Sequence, residues 1–137
     1  MTSLLDGAVT PTELILDHAR RRVGAGLPEQ AASCAVRLIS PTCGDVISLA
    51  LVVSNEGTRV AWEGRGCEVS QASASMLAEL SPDLATIARF LEGMRDRTPV
   101  TGLGDAEALL SLAGNPVRAK CATLAWRAAA EAWETES

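Results

Sequence analysis

The stretch VISLALVVSNEGTRVAWEGRGCEVSQASASMLAEL, Val46 to Leu80, carries two hydrophobic periods in one run. As far as Trp62 the apolar residues alternate. Ile47, Leu49, Leu51 and Val53 share one face, Asn55-Glu-Gly57 supplies turn residues, and Val60 and Trp62 stand two apart on the return. Beyond Gly64-Arg-Gly66 the spacing turns helical, with Val69, Ala72, Ser73, Met76 and Leu80 in register. A hairpin therefore gives way to a helix that Cys67 opens.

Upstream, Ser33 to Ile39 also alternates, with Cys34, Val36 and Leu38 on one side and Ala35, Arg37 and Ile39 on the other, which predicts a third antiparallel strand. Before it, Leu14, His18 and Arg22, and Ile15 and Ala19, fall four apart in a helix starting at Pro11, with Gly24 and Gly26 to end it. Downstream, Ser81-Pro82 has the form of an N-cap followed by proline, ahead of a helix through Leu84, Ile87, Ala88 and Leu91 that Gly93 or Thr98-Pro99 stops. A short segment, Asp105 to Leu112, ends at Gly114. Asn115-Pro116 then repeats the cap signal before a long helix through Val117, Cys121, Leu124, Ala125 and Ala128.

Strands followed by helices, with no βαβ alternation, predict an α+β fold: a small antiparallel three-stranded sheet with helices packed on one face. Residues 1–137 form a single domain, with 1–10 and 131–137 frayed and Arg95 to Gly104 a mobile connection inside it. The length suits one domain, and 47% hydrophobic residues can bury a sizeable core.

Composition narrows the function. Twelve basic against seventeen acidic residues leave a net charge of −5, so the basic face that nucleic acid needs is missing. Four aromatics, Trp62, Phe90, Trp126 and Trp133, are too few for a base-stacking platform. The longest apolar run, Val46 to Val53, is interrupted by Ser48 and far short of the ~18 residues of a membrane span. Met1 to Thr10 holds Asp6 and no Lys or Arg, unlike a secretory leader, which predicts a cytoplasmic address.

In a reducing compartment four cysteines are core residues, metal ligands or reactive thiols rather than a disulfide framework. Cys43 lies in Pro41-Thr-Cys-Gly-Asp45, and an extended backbone there would send Cys43 and Asp45 to the same side, with Gly44 allowing close approach. Cys67 opens a helix, whose N-terminus favours a thiolate, and Cys121 lies on the first turns of the last helix. Three thiolates and one carboxylate make a tetrahedral set that suits Zn2+. The spacings are not those of a zinc finger or ribbon, no CxxC is present, and each of the three cysteines reads equally well as core. Cys34, beside Val36 and Leu38, reads as core, and His18, the one histidine, as a packing or capping residue outside the site.

Together, Pro-Thr-Cys43-Gly-Asp45, Gly66-Cys67-Glu-Val-Ser70-Gln-Ala-Ser-Ala-Ser75-Met and Asn115-Pro-Val-Arg118-Ala-Lys120-Cys121-Ala-Thr-Leu-Ala-Trp126 resemble the SufU branch of the IscU/NifU-like family, as does Leu16-Asp17-His18 in the first helix. The resemblance spans most of the chain. The scaffold members of the IscU branch carry histidine immediately before the third cysteine. Here Lys120 stands there, as in SufU, and the longer Cys67-to-Cys121 segment also fits that branch. Ser40 departs from the asparagine the family commonly has before Pro41.

The resemblance implies a compact α+β fold with the cysteines gathered at one end. It implies that Cys43, Asp45, Cys67 and Cys121 bind one zinc ion. Cys43 is then the thiol that accepts sulfur from a pyridoxal-phosphate cysteine desulfurase of the SufS type, after a desulfurase histidine displaces it from the metal. The protein would be a zinc-dependent sulfurtransferase acting as co-substrate of that enzyme and feeding a downstream iron–sulfur scaffold. Arg118 and Lys120, just before Cys121, would offset the negative charge of the ligands, steer a persulfide, or form a solvated helix face. Two other functions suit the same residues: a scaffold on which a 2Fe–2S cluster is assembled, and a zinc module that only stabilises the fold.

Overall fold

The computed structural model describes residues 9–32, 34–40 and 44–136. Strands β1 (Val36–Ile39), β2 (Val46–Ser54) and β3 (Gly57–Arg65) form an antiparallel sheet in the order β1-β2-β3. The hairpin register sets Ser54 opposite Gly57, leaving Asn55-Glu56 as a two-residue loop, and Leu49 opposite Trp62. Gly57 has φ +122°, which only glycine adopts without strain. Ile47, Leu49, Leu51, Val60 and Trp62 are buried, as the alternation requires. Val53 is instead 69% exposed, because it pairs with Thr58 next to the hairpin loop.

Five α-helices accompany the sheet among the described residues: α1 (Pro11–Arg21), α2 (Glu29–Ala32), α3 (Glu68–Leu80), α4 (Leu84–Asp96) and α5 (Pro116–Glu136), with a 3₁₀ helix over Gly104–Leu112. The helices α3 and α5 cover the sheet and pack on each other, α1 lies on α3, and α4 lies on α5. Small residues are buried where α3 packs on α5: Ala72, Ser73, Ala122 and Ala125 are all buried, and the Ser73 hydroxyl donates to the Ala122 carbonyl at 2.5 Å. Phe90 stacks on Trp126 with ring centroids 4.0 Å apart, worth about 0.5–1.5 kcal/mol beyond the area buried. The α+β architecture, with helices against one small antiparallel sheet, is the one expected from the sequence.

Several local readings are corrected. Cys34 does not lie on a buried strand face. A short α2 precedes it, β1 begins only at Val36, and Cys34 is exposed in the turn between them. Ser81 does not cap α4 but ends α3 in the left-handed region (φ 42°), and Asp83 caps α4 by accepting the Thr86 N–H at 2.9 Å. Arg22 (φ 48°), ahead of Gly24, ends α1. Of the two stops expected for α4, Gly93 is passed and the helix ends at Asp96, just before Thr98-Pro99, so part of the stretch read as a mobile connection is helical; the Thr98 N–H donates to the Gly93 carbonyl at 3.0 Å. At the ends, Thr10 forms a capping box with Glu13, and α5 continues to Glu136 with Ala132 buried where fraying was expected. Residues 1–8 lie outside the described residues.

Candidate metal centre

Asp45 sits immediately before β2, in a turn closed twice: the Ser40 N–H donates to the Asp45 carbonyl and the Gly44 N–H to the Ser40 carbonyl, both at 2.8 Å. Gly44 has φ +74°, so the backbone at Gly44 itself is left-handed rather than extended. The turn buries the Asp45 side chain, which is 2% exposed. Cys43 lies outside the described residues.

Cys67 is the N-cap of α3, with extended backbone (φ −70°, ψ 166°) and no capping bond from its own side chain. Its N–H donates to Asp45 Oδ1 at 3.0 Å, and its Sγ lies 3.4 Å from Asp45 Oδ2. Cys121 is buried in the second turn of α5, and the packing of α3 on α5 brings it to the same place. Asn115 caps α5 by accepting the Val117 and Arg118 N–H groups, both at 3.1 Å, as the Asn-Pro signal predicts.

One Asp45 oxygen and the Cys67 and Cys121 sulfurs all lie within 4.8 Å of one another. Four-coordinate zinc, with Zn–S of about 2.3 Å and Zn–O of about 2.0–2.2 Å, sets neighbouring ligand atoms roughly 3.5–3.8 Å apart, a modest contraction from this spacing. The donor chemistry therefore fits zinc: two thiols and a carboxylate, at the N-terminus of a helix where negative charge is favoured.

A cavity of about 310 Å³ opens beside the sulfurs, lined by Cys67, Glu68, Val69, Val117, Arg118 and Cys121. Arg118 is thus at the mouth of the cluster. Lys120 is exposed and lines no part of this cavity.

His18 lies outside this cluster, fully buried. Its Nδ1 is 2.8 Å from the Ser75 hydroxyl and its Nε2 is 2.9 Å from Asp105 Oδ2, so it ties α1 to α3 and to the 3₁₀ helix. Glu79 and Asp105 bring carboxylates to the same ring, yet the Arg21 guanidinium already supplies the cation there, 3.0 Å from Nε2. Arginine is always charged, so this guanidinium opposes a second ion there, and its hydrogen bonds to Asp17 and then Glu79 hold its pKa above the ordinary value. The packing role expected of His18 is what its contacts describe. Asp105, eighty-seven residues away, carried no sequence signal that it would be its partner.

Among the described residues no helix is long and apolar enough to cross a membrane. Residues 11–135 match the family described as NifU-like N terminal domain. The chain is 36% identical over 128 residues to the iron-sulfur cluster assembly scaffold protein IscU of Streptococcus pyogenes serotype M1, covering 87% of this chain and 79% of that one. It is 34% identical over 125 residues to the zinc-dependent sulfurtransferase SufU of Bacillus subtilis (strain 168), covering 85% and 84%. A solved structure described as a hypothetical protein superposes with a TM-score of 0.78 at 34% identity, over 90% of this chain and 96% of that one.

Proposed function

The chain belongs to the NifU-like N-terminal domain family, and from that premise we propose that it serves iron–sulfur cluster assembly as a zinc-dependent sulfur acceptor of the SufU type. The observation that carries the reading is the meeting of Asp45, Cys67 and Cys121 donor atoms within 4.8 Å. Cys43, two residues before Asp45, completes the set as the fourth ligand. Zinc, when bound, keeps the thiols ionised at neutral pH without any redox change of its own.

The chemistry asked of the chain is a thiol–persulfide exchange. The Cys43 thiolate attacks the outer sulfur of a persulfide on a cysteine desulfurase. A new S–S bond forms to Cys43, the S–S bond to the desulfurase cysteine breaks, that cysteine departs as a thiolate, and the proton stays on the transferred sulfur. Asp45, Cys67 and Cys121 hold their places throughout, and Arg118 supplies positive charge at the mouth of the cavity. The sulfur then passes to a downstream iron–sulfur scaffold. This chemistry suits the cytoplasm, where thiols persist.

A docking surface for the desulfurase is supported by three exposed apolar residues around the cluster. Val117 is 51% exposed and lines the cavity, Ile39 is 52% exposed next to the Ser40–Asp45 turn, and Leu16 is 44% exposed beside Gly66 and Glu68. The acidic balance of the chain suits a partner surface of opposite charge.

The test measures metal content of the purified chain and its effect on the turnover of a pyridoxal-phosphate cysteine desulfurase, with Cys43→Ala beside the wild type. One zinc per chain and stimulation lost in Cys43→Ala are expected. Stimulation undiminished by that substitution overturns the sulfur-acceptor role, and a desulfurase indifferent to the wild type leaves a zinc module that only stabilises the fold. The relative named as a scaffold supports one other reading, direct cluster assembly. Iron with acid-labile sulfide in place of zinc, as a visible chromophore transferable to an apo-acceptor, would establish it.

A further inference from the structure

We propose that Gly66 is a positioning residue for the Asp45 carboxylate. Because residue 66 lacks a side chain, Asp45 can reach the Cys67 N–H at the N-cap of α3 and join both sulfurs. Gly66 lies between the end of β3 and the N-cap of α3, with φ +152°. A methyl group on its Cα would overlap the Asp45 carboxylate and come within 2.8 Å of the Asp45 Cβ. The contact to Cβ matters most, since rotating the carboxylate away does not relieve it.

Asp45 has little freedom to yield. Its side chain is buried, its carbonyl accepts the Ser40 N–H, and Oδ1 accepts the Cys67 N–H. Residue 66 is equally held, one step from the β2–β3 pairing of Arg65 with Val46. A side chain at 66 therefore has to separate Asp45 from Cys67, and with them the donor atoms. Among the other glycines at positive φ, Gly26, Gly44 and Gly57 have nothing within 4 Å of where a Cβ would stand, and Gly24 would meet the Ala78 Cβ at 2.4 Å rather than any residue of the cluster. Gly26, Gly44 and Gly57 serve the backbone alone, whereas Gly66 also serves as the floor against which the Asp45 carboxylate rests.

The inference rests on the zinc reading for its consequence but not for its geometry, and two measurements keep these apart. The first is zinc affinity by competition with a chromogenic chelator. Gly66→Ala should bind zinc ten- to a hundred-fold more weakly, the usual range for residues that orient a metal ligand. Gly57→Ala, which adds strain at a similar φ far from the cluster, should leave affinity unchanged. In an Asp45→Gly background, where the carboxylate and its Cβ are gone, Gly66→Ala should cost no further affinity.

The second measurement is thermal unfolding of the same chains without metal. Gly66→Ala should melt lower than Gly57→Ala, which carries backbone strain alone, and Asp45→Gly combined with Gly66→Ala should recover that excess. This also carries the test if Gly66→Ala alone does not fold: recovery of a folded chain by Asp45→Gly supports the proposal, and no recovery overturns it. Wild-type affinity in Gly66→Ala, or a loss equally large without Asp45, overturns it too. A wild type that binds no zinc overturns instead the functional reading, and the clash with Asp45 is then decided by the melting of these chains.

Discussion

Asp45 and Cys67, twenty-two residues apart, share two contacts: the Cys67 N–H donates to Asp45 Oδ1 at 3.0 Å, and Cys67 Sγ lies 3.4 Å from Oδ2. The carboxylate thus holds the backbone N–H of the residue that opens α3, while the Cys67 side chain makes no capping bond of its own. The sulfur of the N-cap residue, which makes no capping bond, stands at the cluster, and the neighbouring turn fixes its backbone through the Asp45 carboxylate.

The division of labour predicts the behaviour of Asp45→Asn. Its amide oxygen can still accept the Cys67 N–H, so far-UV circular dichroism of the metal-free chain should be unchanged. Zinc affinity should fall by at least about tenfold, because an amide is a far poorer zinc ligand than a carboxylate. Equal affinity in the two chains would remove Asp45 from the ligand set.

Trp62 predicts a stability effect remote from any metal. Its indole N–H donates to the Val23 carbonyl at 2.7 Å, and the Arg22 guanidinium lies 4.8 Å from the ring centroid. Trp62→Phe keeps an aromatic ring but orphans that carbonyl, at a cost of about 1–3 kcal/mol. Urea unfolding of the metal-free chain measures it, and zinc stoichiometry should be that of the wild type.

His18 gives a sharper separation of fold from site. His18→Ala removes one hydrogen bond each from Ser75 and Asp105 and empties a fully buried position, which should destabilise the chain by about 2 kcal/mol. Zinc content per folded chain should stay unchanged, read by metal analysis after gel filtration. A drop in stoichiometry would give His18 a role as ligand that its contacts do not suggest.

Asp83 predicts a dependence on acid. Its carboxylate accepts the Thr86 N–H at the start of α4, which holds its pKa below the ordinary aspartate value. The charged form is thus favoured in the folded chain, so its contribution is complete above the unfolded pKa and fades as pH falls through the lowered folded one. The melting temperature of Asp83→Ala should lie below wild type at neutral pH, and the gap should close in strong acid. A gap that does not depend on pH would assign the effect to something other than the charged cap.

Much of this was legible in the sequence because it depends on residues close together in the chain. Alternation at Ile47, Leu49 and Leu51 needs only a pleated strand with one face to bury, and Asn115-Pro116 needs only the open amides of the helix it starts. Where two local signals competed, the sequence misled. Ser81 and Asp83 both have the character of a cap, and the space in which α3 ends allowed only Asp83 to take that role for α4. Cys34 continued an alternating pattern, yet the chain had already turned out of the sheet by way of α2.

The residue types of the cluster, and the positions of Cys67 and Cys121 at a helix start and on a second helix, were fixed by the sequence through local chemistry alone. Their meeting was decided by tertiary structure. The packing of α3 on α5 through small side chains sets the distance between the two sulfurs, and the Ser40–Asp45 turn delivers the carboxylate. No local period encodes either contact, because each is a balance of burial and hydrogen bonding between segments that meet only when the whole core has closed.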